Sequence, residues 1–219
     1  MTEEEMKPQG ELRKARSLAR LRLENVPTID HLPWIECDPD RLQNLDAIAR
    51  RTMVLALLAV YAEPNGMPKE TLQKYLDLRE VRDNLTAKER KFVEQDNPSE
   101  KDRGPFTWQY ESAHVLLWAM GYVDLLGIPS ECCTAQGVSG MIAPRSLLQL
   151  MEEARMRTPD EIFDEADLIY RYHWTARNAS LRQQKPPAEL LAPVCYYRHY
   201  ALNWITDSSV DWDDVDTST

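Results

Sequence analysis

Thr158-Pro-Asp-Glu-Ile-Phe-Asp-Glu-Ala-Asp-Leu-Ile-Tyr-Arg-Tyr-His-Trp-Thr-Ala-Arg177 carries a clear helical periodicity with ionisable groups on its apolar face. At about 100° per residue, Ile162, Phe163, Ala166, Ile169, Tyr170 and Trp174 fall on one arc. His173 and Arg177 lie inside that arc and Asp167 at its edge. Thr158 followed by Glu161 is a capping box, and Lys185-Pro-Pro187 breaks the pattern, so one amphipathic helix is expected over residues 158–184. An imidazole and a guanidinium on its apolar face must find partners, because an unpaired buried charge costs several kcal/mol.

Working outward, the same period recurs. The 219 residues are 43% hydrophobic with only 7 glycines, and the apolar residues come in helix-length runs rich in Ala, Leu, Glu, Arg and Met. These features predict an all-α fold of about seven helices in a single compact domain over residues 11–219, after a flexible amino-terminal tail at 1–10. Asp38-Pro39 reads as the start of a helix reaching Glu63, and Thr86 with Glu89 as the start of another. Residues 105–124 carry Phe106, Trp108, Tyr110, Leu116, Trp118 and Tyr122 all round, the mark of a buried central helix. A polar loop is expected at 96–104 and an irregular stretch at 126–144, of the kind that covers a core or binds a ligand.

The net charge of −10, from 36 acidic and 26 basic side chains, argues against nucleic acid as the main partner. Charge is uneven along the chain. Arg13, Lys14, Arg16, Arg20 and Arg22 give the first helix a basic face, read as solvated, and Asp207 to Asp216 make the carboxyl end acidic. No stretch has the roughly 18 successive apolar residues of a membrane span, and the first residues lack a secretory pattern. A cytoplasmic protein without a membrane role is expected, with Cys37, Cys132, Cys133 and Cys195 reduced.

Glu111 and His114 have the E-x-x-H spacing of carboxylate-bridged metal bundles. That chemistry needs a second such pair, and none exists, so no metal or cofactor is expected. Asp167 and Arg171, four residues apart, read as a surface ion pair. His173, Arg177 and Arg198 are expected to face a core in which Glu111 is the best-placed carboxylate. That cluster reads as a buried ion-pair network, a pocket for a small anion, or an acid–base site. No G-x-S-x-G or phosphate-binding loop is present.

The carboxyl end, from Trp204 to Thr219, reads either as a solvated tail or as an acidic clasp. In the clasp, Trp212 would be the anchor and Asp211, Asp213, Asp214 and Asp216 would complement a basic partner.

Leu32-Pro-Trp-Ile-Glu36, Trp108-x-Tyr-Glu-Ser-Ala-x-x-Leu-Leu-Trp118, Glu161-Ile-x-Asp-Glu-Ala-Asp-Leu-x-Tyr-Arg171-x-x-Trp174, Arg198-His-x-Ala-Leu-Asn-Trp204 and Trp212-Asp-Asp resemble the bacterial family designated domain of unknown function 4272. The resemblance covers the chain from about residue 30 onward. It implies a mostly helical domain that includes Trp212-Asp-Asp, in an intracellular setting. It carries no established activity, so no catalytic residue is transferred.

Charge, the acidic end and the lack of a complete catalytic set favour a non-catalytic acidic module that binds a protein with a basic surface. An immunity or antitoxin protein occluding a basic toxin is one form of it. The alternative is an enzyme or small-anion binder using Glu111, His114, His173, Arg177 and Arg198.

Overall fold

Local capping chemistry sets where the helices begin. In the computed structural model, which describes residues 3–219, the chain forms α1 (Glu3–Leu23), α2 (Leu45–Ala62), α3 (Lys69–Leu78), α4 (Ala87–Glu94), α5 (Glu100–Thr107), α6 (Gln109–Ala119), α7 (Ala135–Ile142), α8 (Leu147–Glu153), α9 (Pro159–Leu181) and α10 (Ala192–Thr206). No strand occurs among the described residues. The Thr158/Glu161 and Thr86/Glu89 capping boxes open α9 and α4 as expected. Two more, Ser99/Asp102 and Ser146/Gln149, open α5 and α8, and Thr134 caps α7.

These extra caps account for most departures from the expected layout. The polar loop at 96–104 ends in the first turn of α5, and the irregular stretch at 126–144 contains α7. Asp38 caps only a 3-10 turn at Pro39–Arg41, while Asn44, accepting from the Ala47 N–H at 2.9 Å, opens α2. The expected helix over 105–124 is two, jointed at Trp108. Tyr197 Oη donates to the Pro105 carbonyl at 3.3 Å, the acceptor that an unbroken helix would give to Gln109 N–H. α1 begins at Glu3 instead of about Glu11, with Met6 buried; residues 1 and 2 of the expected tail lie outside the described residues.

Helix ends use left-handed residues. Asn25, Glu80, Gly121 and Gln183 all have positive φ, and the next residue's N–H reaches back to Leu21, Leu76, Leu117 and Ala179 respectively. Only Gly121 has a second reason to be glycine: a Cβ there would lie 2.4 Å from the Arg155 carbonyl oxygen.

α6 lies between α2 and α10, α10 packs on α9, and α9 packs on α1. Both α2 and α6 are buried around most of their circumference, and the core runs continuously from Leu21 to Trp212. Among the described residues no helix is long and apolar enough to cross a membrane.

Much of the polar side of α9 is covered by α1 and the connector after it, although Asp160 and Glu161 in its first turn stay exposed. Arg13, 2% exposed, binds Asp160 and Asp164 at 2.8 Å each, Thr175 Oγ1 donates to the Pro27 carbonyl, and Tyr172 Oη donates to Glu24. The basic face of α1 is therefore partly spent on the acidic first turns of α9, not left to solvent.

Candidate functional site

The expected polar cluster separates into three pairs. Glu111, on α6, and Arg198, on α10, form a buried ion pair at 3.3 Å, with side chains 2% and 4% exposed. Arg198 Nη1 also donates to the Leu126 and Gly127 carbonyls at 2.8 and 3.1 Å, and Glu111 Oε1 accepts from the Cys133 N–H at 2.5 Å. The pair thus pins the 126–134 loop over the end of α6. His114 stands nearby, half-buried, with its Nδ1 enclosed and lacking a hydrogen-bond partner. Burial and then the Arg198 charge push its pKa below the ordinary imidazole range, against the pull of Glu111.

His173 does not face Glu111. Its Nδ1 lies 2.9 Å from Nδ1 of His199, so one ring donates and the other accepts. Burial is the main cause that lowers both, His173 to about 4 with help from Arg177, and His199 to about 3 with help from His173 and opposition from Asp216. Both rings are therefore neutral at neutral pH. Arg177 is solvent-exposed, contrary to its place on the expected buried arc, and its Nη1 reaches Thr219 Oγ1 at 3.5 Å. It lines a shallow pocket with His173, Tyr196 and Asp216.

Asp167 and Arg171 are not a surface pair. Both side chains are 0% exposed, joined by two hydrogen bonds of 2.7 and 2.8 Å, and Arg171 Nη2 also donates to the Pro33 carbonyl at 3.1 Å. The connector carrying Leu32 and Pro33 seals them, which the i,i+4 spacing could not reveal.

The carboxyl end is folded into the protein. Trp212, 5% exposed, meets Tyr200 and Trp204 edge-on at 5.1 and 5.3 Å, and the Arg51 guanidinium lies 5.4 Å from its ring centre. Tyr200 Oη donates to the Trp212 carbonyl, Asn203 Nδ2 to the Asp216 carbonyl, and Lys88 donates to Asp213 through both its N–H and its Nζ. Arg51 is itself buried against Glu89 at 3.1 Å. The sequence reading missed Arg51, Lys88, Glu89 and His199, because nothing local marks a partner 38 residues away, as Glu89 is from Arg51.

Beside this segment a groove of about 670 Å³ runs between the start of α2, the 84–88 turn and residues 208–214. Its cationic side chains already donate to internal acceptors: Arg50 to the Asp46 carboxylate, Arg51 to the Glu89 carboxylate, and Lys88 Nζ to the Asp213 main-chain carbonyl. Asp211 and Asp214 are exposed on its edge and carry no ion pair among the described residues. Among those residues no three His, Cys, Asp or Glu side chains converge as a metal would require.

No curated protein and no solved structure matches the chain. A family model does match, over residues 13–215, from the first basic helix to the residue after the Trp212–Asp214 turn. The chain belongs to the family described as Domain of unknown function (DUF4272).

Proposed function

We propose that the protein is a non-catalytic binding module that takes a basic segment of a partner protein along the groove edged by its carboxyl-terminal aspartates. The charge balance of that groove carries the reading: each cationic side chain already donates to an internal acceptor, whereas Asp211 and Asp214 form no ion pair among the described residues. Trp212 fixes the backbone between them, so the two carboxylates are held in place before a partner arrives, which lowers the ordering cost of binding. A net charge of −10 adds long-range attraction for a basic surface. An immunity or antitoxin protein that covers a basic toxin is a specific form of this reading.

The acid–base alternative has weaker support. Glu111, Arg198 and His173 each spend their polar atoms on buried neighbours, and Arg177 stands apart from Glu111 and Arg198.

A fluorescent peptide of alternating lysine and alanine, followed by anisotropy, tests the proposal. Saturable binding that weakens with added salt and disappears in the double reversal Asp211→Lys/Asp214→Lys is expected. Equal binding by that variant, or no binding by the natural chain, would overturn it.

A further inference from the structure

Next to the groove, and sharing Lys88, Trp212 and Asp213 with it, is a second cleft of about 170 Å³. Aromatic side chains make up half of its lining. Tyr196 and Tyr197 meet edge-on at 5.1 Å, Tyr196 and Tyr200 lie 6.0 Å apart, and Tyr200 meets Trp212 at 5.1 Å. Phe106 closes the far side, stacked on Phe92 at 3.9 Å. An aromatic ring face carries partial negative charge, which attracts a cation.

A second observation narrows the ligand. Gln109 lines the cleft, and its Oε1 is buried with no hydrogen-bond partner. An unsatisfied buried acceptor costs roughly 1–3 kcal/mol, and the last torsion of a glutamine side chain is soft. A donor entering the cleft would let this oxygen turn and bond. Of the carboxylates at the cleft, Glu89 is paired with Arg51, whereas the Asp213 carboxylate accepts from the Lys88 backbone N–H and the Lys88 ammonium donates to the Asp213 carbonyl.

We infer that this cleft receives an arginine side chain of the partner. A guanidinium combines what the walls require: a flat cation that stacks on rings, and N–H donors for Gln109. A quaternary ammonium would leave Oε1 unsatisfied. The fold already places one guanidinium this way, Arg51 over the other part of the same aromatic run at Trp212. This inference rests on the protein-binding reading, because the arginine belongs to the partner, and it adds an anchor that the aspartates alone lack.

The probes are N-acetylarginine amide and its neutral isostere N-acetylcitrulline amide, titrated into the full chain while the Gln109 side-chain amide and the Trp212 indole are followed by NMR. Saturable shifts from the arginine probe, with the citrulline probe at least about tenfold weaker, are expected. Tyr196→Leu, at a ring 37% exposed, should weaken the arginine probe by about tenfold. Gln109→Leu tests the acceptor separately and should weaken it by a similar factor. Equal binding of the two probes, or unchanged binding in both variants when their circular dichroism is native, would overturn the inference. Asp211→Lys/Asp214→Lys separates the two proposals. If the arginine probe binds this variant and the natural chain alike while the lysine peptide binds neither, the arginine cleft stands and the groove reading falls. If the peptide behaves as proposed but the arginine probe does not bind, the cleft falls and the groove stands.

Discussion

Asp167 and Arg171 share one turn of α9 and form a two-bonded ion pair with both side chains wholly buried. One guanidinium nitrogen, Nη1, has no hydrogen-bond partner. The pair is therefore held at a desolvation cost that its own bonds only partly offset. Asp167→Ala should destabilise the protein by about 3–5 kcal/mol in urea denaturation, because it strands a buried cation. Asp167→Leu combined with Arg171→Met should recover most of that loss. A double variant as unstable as the single one would show that the pair, and not merely its completeness, holds α9 in place.

The pair Glu111–Arg198 has a different task, since its remaining bonds all go to the 126–134 loop. Glu111→Ala should release that loop and raise the rate of thiol labelling at half-buried Cys133 by at least about tenfold. Global stability should fall by about 3–5 kcal/mol. Labelling that is unchanged in a folded variant would separate the loop from the pair.

The two histidines set a pH dependence. With His173 at about 4 and His199 at about 3 in the folded chain, and both near 6.5 when unfolded, the unfolded state binds more protons across that interval. Stability from the pair is therefore complete above about pH 6.5 and is lost as the pH falls through the folded values. Arg177, Asp216, Tyr170 and Tyr196 are the charged or titratable groups around the two rings. Urea denaturation at about pH 7 and pH 4.5 should show a smaller acid loss in His173→Phe/His199→Leu than in the natural chain, by a few kcal/mol. An identical loss in both would place the acid sensitivity in other groups.

Trp212 ties the carboxyl end to α10 and Arg51. Trp212→Ala should cost about 3–5 kcal/mol and speed hydrogen exchange across residues 207–216. Exchange that stays slow there would mean that Lys88, Asn203 and Tyr200 hold the segment without the indole.

Two glycines give opposite outcomes. At Gly10 a Cβ would meet the Trp34 ring at 2.4 Å, whereas at Gly140 in α7 nothing lies within 4 Å. Gly140→Ala should stabilise by roughly 0.5–1 kcal/mol, read as a rise in thermal midpoint. Gly10→Ala should lower it, as the clash outweighs the helix propensity gained.

Much of the fold could be read from the residues because its determinants are local. The Thr158/Glu161 and Thr86/Glu89 boxes, the apolar circumference of α6 and the breaks at prolines all act within a turn or two. Even the missed starts of α5 and α7 had local marks, in Ser99 and Thr134. The candidate site was legible only as a set of groups that needed partners, and the assignment of His173 and Arg177 to Glu111 did not hold. Arg198 with Glu111 did.

The all-helical character of the chain, the starts of its best-capped helices and its acidic end follow from the residues alone, since 3.6-residue periodicity, capping and net charge need no knowledge of distant segments. Which polar faces are covered depends on how the helices pack. Asp167 and Arg171 read as a surface pair until the connector carrying Pro33 lay across them, and whether the carboxyl end was a solvated tail stayed open until Trp212 packed on α10. Periodicity separates apolar from polar faces, but a polar face matched to another polar face has the same pattern as one facing water. Their difference lies in long-range pairing, which arises only when the helices pack.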